Sequence, residues 1–128
     1  MSNIQIGDHV IAHYKSGSYI AKVIEDRDPN YLVEVHAVEK HPMQGDLHNP
    51  GKTEGVFFHQ RKALSHREKA NVSKQAVKAF DGEVPAYEDS LQASIDKLKE
   101  KLKRRDSEFN DQALDQLESL EAQYFPNK

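Results

Sequence analysis

Residues 9–24 run His9-Val10-Ile11-Ala12-His13-Tyr14-Lys15-Ser16-Gly17-Ser18-Tyr19-Ile20-Ala21-Lys22-Val23-Ile24. Val10, Ala12 and Tyr14 alternate with His9, Ile11 and His13, the two-residue period of a β-strand. Ser16-Gly17, between Lys15 and Ser18, stands where a two-residue hairpin loop needs positive φ. The stretch therefore predicts a tight antiparallel hairpin, with Tyr19–Ile24 as its second strand. Downstream, Asp26-Arg27-Asp28-Pro29-Asn30 has turn chemistry, because the proline presets φ and the acids bond back to the backbone.

Tyr31–Val38 is the clearest strand. It places Tyr31, Val33, Val35 and Ala37 on one face, with Glu34 and His36 on the other. Residues 39–55 then read as a long loop rich in Gly, Pro and His. Val56-Phe57-Phe58-His59 reads as a fourth strand, with its adjacent aromatics on opposite faces, and Ala63-Leu64 as the start of a fifth. Short strands, tight turns and one long loop point to a small antiparallel barrel, since closure removes the unpaired edges that isolated strands expose.

The rest of the chain changes period. Ser73 can cap a short helix with Ala76, Val77 and Phe80 on its apolar side, and Gly82 stops it. Pro85 suits the start of a longer helix, in which Tyr87, Leu91, Ile95, Leu98 and Leu102 form one stripe. After the turn Asp106-Ser107, Phe109, Ala113, Leu117, Leu120 and Tyr124 form a second. So short a connection makes the two helices antiparallel neighbours. The expected organisation is a barrel with a short trailing helix over residues 1–80 and a helical hairpin packed on it over 81–128.

Charge divides the chain in the same place. Residues 1–80 hold 11 Lys/Arg and 9 Asp/Glu, whereas residues 81–128 hold 7 and 12. Neither part is basic enough to suggest nucleic acid as the main partner, although small barrels of this kind also serve as nucleic-acid or ribosome-binding modules. With no Cys, the chain forms no disulfide, thiolate metal site or acylated cysteine. No apolar run approaches the ~18 residues that span a bilayer. The residues Met1-Ser2-Asn3-Ile4-Gln5 lack a cationic leader, so the expected location is cytoplasmic, with no direct membrane anchor.

The richest constellation is His41-Pro42-Met43-Gln44-Gly45-Asp46-Leu47-His48-Asn49-Pro50, with His59 nearby. Histidine with carboxylate can hold a metal or move protons. Paired ligands on a helix sit three or four apart, however, whereas His41 and His48 are seven apart in a loop, so no metal, cofactor or catalytic residue is assigned. A long loop with polar directional groups and apolar anchors suits a partner contact. The candidate contact set is His41, Met43, Gln44, Asp46, Leu47 and His48, with Phe58 and His59 of the adjoining strand. The cations Lys97, Lys99, Lys101, Lys103, Arg104 and Arg105 complement a helix C-terminus, with Glu108 and Asp111 of the second helix expected close by.

Nearly end to end, the chain resembles the kinase-associated protein B family of spore-forming Firmicutes, also called kinase-associated lipoprotein B. The resemblance rests on Ile4-Gln5-Ile6-Gly7-Asp8, the loop from His41 to His48, Phe57-Phe58-His59 with Arg61, Ala63-Leu64, and Tyr87 before the helical hairpin. It implies an SH3-like β-barrel followed by an antiparallel α-helical hairpin. It also implies a non-enzymatic accessory factor that binds a sensor histidine kinase, or its membrane assembly, and promotes the phosphorelay that starts sporulation. It brings no catalytic residues.

Overall fold

The computed structural model of the chain describes residues 4–45 and 60–126. Strands β1 (His9–Tyr14), β2 (Gly17–Arg27) and β3 (Asn30–Lys40) form an antiparallel meander. Strand β4 (Lys69–Ser73) pairs with β3, and β5 (Val77–Ala79) pairs with the far side of β1, giving the order β4-β3-β2-β1-β5. A single 3₁₀ turn, Lys74–Ala76, joins β4 to β5. Although β4 and β5 end opposite edges of the sheet, they are consecutive in the chain, so that one turn holds the sheet curled into the SH3-like arrangement. Helices α1 (Tyr87–Lys103) and α2 (Glu108–Tyr124) follow as an antiparallel pair.

Several expectations are corrected. The β1–β2 hairpin pairs Tyr14 with Gly17, so its two loop residues are Lys15 and Ser16, and it is Lys15 that takes positive φ, 55°. Gly17 is needed for space instead: a Cβ there would lie 2.7 Å from the Tyr19 hydroxyl and 3.1 Å from Pro42. Ser73 caps as expected, its Oγ accepting from the Gln75 N–H, but the helix it starts is one turn long. Val77 and Ala79 leave it to pair with Ala12 and Val10, because filling the open edge of β1 outweighs weak local helix propensity. Ala63-Leu64 starts no strand. The expected strand Val56–His59 lies outside the described residues.

The third strand does not keep the simple alternation expected of it. Pairing passes from Ile20–Ala37 to Ala21–Val35, which leaves His36 as an extra residue, and Glu39 is extra in the same way. Regular alternation would put Val35 and Val38 on opposite faces. Across the bulge at His36 both join one buried cluster, with Tyr19, Ala63, Leu91 and Ile95. Ala37 instead joins Ile11 and Ile20 on the outer face, under Phe80 and Val84. The inner face proper is small and branched: Val10, Ala12, Ala21, Val23, Val33, Val72 and Val77.

Helix α1 lies between β3 and α2. Its first buried turns carry Ser90 and Ser94 beside Leu91 and Ile95, and these small residues let the helix approach the strand closely. Ser90 Oγ accepts the Val38 N–H at 2.9 Å and donates to the Tyr87 carbonyl at 2.7 Å, so an amide freed by the bulge is satisfied by the helix. At the far end, Ser107 caps α2, its Oγ accepting from the Asn110 N–H. The Asn110 side chain donates to the carbonyl of Leu102 in the last turn of α1 and to that of Arg105 just beyond it.

Ile95 is 0% exposed at the meeting of helix and barrel, whereas Ile6 is 64% exposed. Ile95→Ala should cost about 2–5 kcal/mol in urea unfolding. Ile6→Ala should stay within about 0.5 kcal/mol of the parent.

Candidate functional site

Residues 60–65 run between the barrel and the hairpin without joining either the sheet or a helix. Where this segment is covered, at Ala63 and in part at Leu64, its backbone must still find hydrogen-bond partners, and tyrosine hydroxyls supply them. The Ala63 N–H donates to Tyr124 Oη at 2.9 Å, and the Leu64 N–H to Tyr19 Oη at 3.2 Å. Tyr87 Oη donates to the Leu64 carbonyl at 2.6 Å. The three rings come from α2, β2 and α1, so one short stretch of backbone ties together the barrel and both helices. Burial pushes the Tyr19 phenol up to about 12, against the lowering effect of its bond from Leu64, and raises those of Tyr87 and Tyr124 as well. All three therefore remain neutral, as a hydroxyl that donates must.

Two of the expected contact residues extend this brace. His41 is 0% exposed, and its Nδ1 lies 2.9 Å from the Pro42 carbonyl. A carbonyl only accepts, so Nδ1 carries the proton and Nε2 accepts from Tyr124 Oη at 3.1 Å. A hydrogen-bonded chain thus runs from the Ala63 amide through Tyr124 to His41. Burial lowers the His41 pKa, opposed by its bond to Pro42. Gln44, 3% exposed, acts as a stand-in for a peptide group. Its Oε1 accepts the Arg61 N–H at 2.8 Å, while its Nε2 donates to the carbonyls of Arg61 and Pro42. His41 and Gln44, both in the expected contact set, thus spend their polar atoms inside the chain.

Met43 is half-buried, its N–H donating to Ser16 Oγ at 2.9 Å. Asp46, Leu47, His48, Phe58 and His59 lie outside the described residues. What the structure does place is the base of the stretch that carries them. Gln44 and Gly45 on one side are joined to Arg61 on the other, the last bond running from Arg61 Nε to the Gly45 carbonyl at 3.2 Å.

Beside this base lies a surface pocket of about 250 Å³, lined by Tyr14, Lys15, Tyr19, Pro42, Arg61, Lys62 and Leu64 among others. Its cations come from the β1–β2 turn and from the braced segment, which are remote in sequence. The basic end of α1 is paired less fully than expected. Lys99 meets Glu121 at 2.7 Å and Arg104 reaches Glu100 at 4.0 Å, but among the described residues Glu108 and Asp111 form no ion pair with the run.

A row of rings that sequence reasoning missed crosses the outer surface. His9 and His36 are 5.5 Å apart, His36 and His66 6.2 Å, and His66 stacks on Tyr87 at 5.4 Å. Glu34 lies 2.9 Å from His36 Nε2, a contact that lowers the Glu34 pKa. Among the described residues, no group of three His, Asp or Glu is arranged to hold a metal ion. The same residues include no helix long and apolar enough to cross a membrane.

Comparison with known proteins gives a consistent result. The family described as Kinase associated protein B matches residues 14–125. The chain is 42% identical over 125 residues to a Bacillus subtilis (strain 168) protein named Kinase-associated lipoprotein B, covering 98% of each. It also superposes on the crystal structure of kinase-associated protein B from Bacillus cereus with a TM-score of 0.81 and 33% identity, covering 95% of this chain and 98% of that one.

The buried His41 gives a signed pH dependence. Its folded-state pKa lies below the ordinary 6.5, so as pH falls past that value the unfolded chain takes up a proton before the folded one does. His41 therefore contributes its full stability above about pH 6.5 and loses it progressively toward its folded-state pKa. Urea midpoints should fall between pH 7.5 and 5.5, and His41→Leu, although less stable throughout, should show a smaller fall.

Proposed function

This chain belongs to the kinase associated protein B family, and from that we propose that it is a non-enzymatic accessory factor for a sensor histidine kinase. It binds the kinase, or the kinase's membrane assembly, and raises its activity in the phosphorelay that starts sporulation. The observation that carries this reading is the near-complete coverage of a relative named for association with a kinase. In this reading the protein works in the cytoplasm and reaches the inner face of the membrane only through its partner.

The geometry supports an interaction role by separating two jobs along the same stretch of chain. His41 and Gln44 hold the base of the stretch together, and the residues beyond them, Asp46, Leu47 and His48 with Phe58 and His59, are the proposed contact group. Met43, half-buried at that base, contributes the apolar anchor nearest the brace. A transient signalling contact of this type is small and partly polar, with a few central side chains carrying most of its energy.

Purified kinase autophosphorylation, followed with and without the protein, tests both the activity and the surface. Asp46→Ala with His48→Ala should weaken activation while the unfolding free energy stays within about 0.5 kcal/mol of the parent. A loss of stability matching the loss of activation would make those residues part of the brace. Activation that survives this pair but is abolished by charge reversal at Lys101, Arg104 and Arg105 would move the contact to the helical hairpin. Capture from membranes of sporulating cells that retained only ribosomal proteins would overturn the kinase reading itself.

A further inference from the structure

The pocket between the β1–β2 turn and residues 60–64 has a composition that the fold does not require. Three cations, Lys15, Arg61 and Lys62, share it with Tyr14, Tyr19, Pro42 and Leu64, and among the described residues no carboxylate lines it. Among the described residues none of the three cations forms an ion pair. Like charges that line one pocket raise one another's free energy, and an anion placed between them relieves that repulsion.

The site is also held in shape before anything binds. Lys15 occupies a two-residue turn at positive φ, and its Nζ lies 5.4 Å from the centre of the Tyr14 ring. Ser16, next to it, is tied to the opposite wall through the Met43 N–H. Arg61 is fixed at its backbone by both ends of the Gln44 amide, and its Nε is turned onto the Gly45 carbonyl. Among the described residues the guanidinium's terminal nitrogens take no partner, and theirs is the edge that engages a carboxylate or phosphoryl group. Fixing the donors beforehand reduces the ordering cost of binding.

Size and lining select the ligand. At about 250 Å³ the pocket falls below the ~300–1,000 Å³ of small-molecule and cofactor sites, so it accommodates a side chain or two rather than a whole cofactor. A bare anion would leave Pro42, Leu64 and the faces of Tyr14 and Tyr19 uncovered. A peptide carries an anionic side chain and an apolar neighbour on one strand.

We propose that this pocket binds an anionic side chain, carboxylate or phosphoryl, of an extended segment of a protein partner. The charged group sits among Lys15, Lys62 and the terminal edge of Arg61, and an adjacent apolar residue lies on Tyr14, Pro42 and Leu64. The inference does not depend on the partner being a kinase.

Fluorescence anisotropy with the full chain tests it, using three labelled peptides of one backbone that differ at a single central residue: Glu, phosphoserine or Gln. Both anionic peptides, or either one, should bind at least about tenfold more tightly than the Gln peptide, a difference of roughly 1.4 kcal/mol. Which of them binds more tightly identifies the source of the charge. Lys15→Gln with Lys62→Gln, which leaves the Gln44–Arg61 brace intact, should remove that preference, whereas Lys97→Gln with Lys101→Gln should leave it unchanged. Amide shifts in NMR spectra should centre on Lys15, Arg61 and Leu64. Equal binding of all three peptides, no binding, loss of the preference in the Lys97/Lys101 variant, or shifts centred on α1 would each overturn the proposal. Inorganic phosphate should compete only at far higher concentration than the peptide, and competition at equal concentration would overturn the peptide assignment.

Discussion

The hydroxyls of Tyr19, Tyr87 and Tyr124 converge on the backbone of two residues, Ala63 and Leu64, and the relation between barrel and hairpin depends on that convergence. A stretch with no strand partner would leave amides and carbonyls unpaired where it is covered, as at Ala63, at a cost of about 1–3 kcal/mol for each buried group. Tyrosine is suited to relieving this. Its ring adds apolar area to the cluster around Leu91 and Ile95, and its hydroxyl, several ångströms from its own backbone, reaches a peptide group that the ladder cannot. Because the rings come from one strand and two helices, moving any of those elements would unpair the segment. His41 extends the arrangement, since its proton on Nδ1 leaves Nε2 to orient the Tyr124 hydroxyl.

The bulges in β3 make the brace possible. A regular strand would give the barrel one inner face and the solvent one outer face. By resetting the alternation at His36 and Glu39, β3 contributes Val33 to the inner core, Val35 and Val38 to the contact with α1, and Ala37 to the outer cluster under Phe80 and Val84. One strand then packs in three directions. The Val38 amide finds Ser90 in the helix, so the packing of α1 on the sheet has a polar registration as well as an apolar one.

Charge is distributed around this frame rather than within it. Helix α2 contains five acidic residues and no basic one, α1 ends in cations, and a separate cationic pocket opens beside the braced segment. The buried polar residues among those described, Ser18, His41, Gln44, Ser90 and Ser94, are all hydrogen-bonded within the chain. Bracing residues and pocket-lining cations thus neighbour one another along one stretch. A chain of the kinase associated protein B family therefore combines a braced frame with charged surfaces.

Local pattern was enough to decide much of this molecule. The period of two in residues 9–38 set the first three strands. The apolar stripes from Tyr87 to Leu102 and from Phe109 to Tyr124 set the helices and their antiparallel pairing, because those periods arise from contacts within a few residues. Ala76, Val77 and Phe80 misled, since their spacing suits a helix face and only the unfilled edge of β1 draws Val77 and Ala79 into a strand. Gly17 looked like a turn glycine, while its actual constraint is the Tyr19 ring folded over it. Within the loop, His41 and Gln44 are polar residues in polar company, which in sequence signals exposure. Their burial follows from Tyr124, 83 residues further on, and Arg61, 17 residues further on, and no local period encodes contacts at such separations. Sequence determined the first three strands and the apolar stripes of the two helices, and tertiary structure decided the remaining strands and which polar groups would be buried as partners, because a hydrogen bond across the fold exists only once both ends have been brought together.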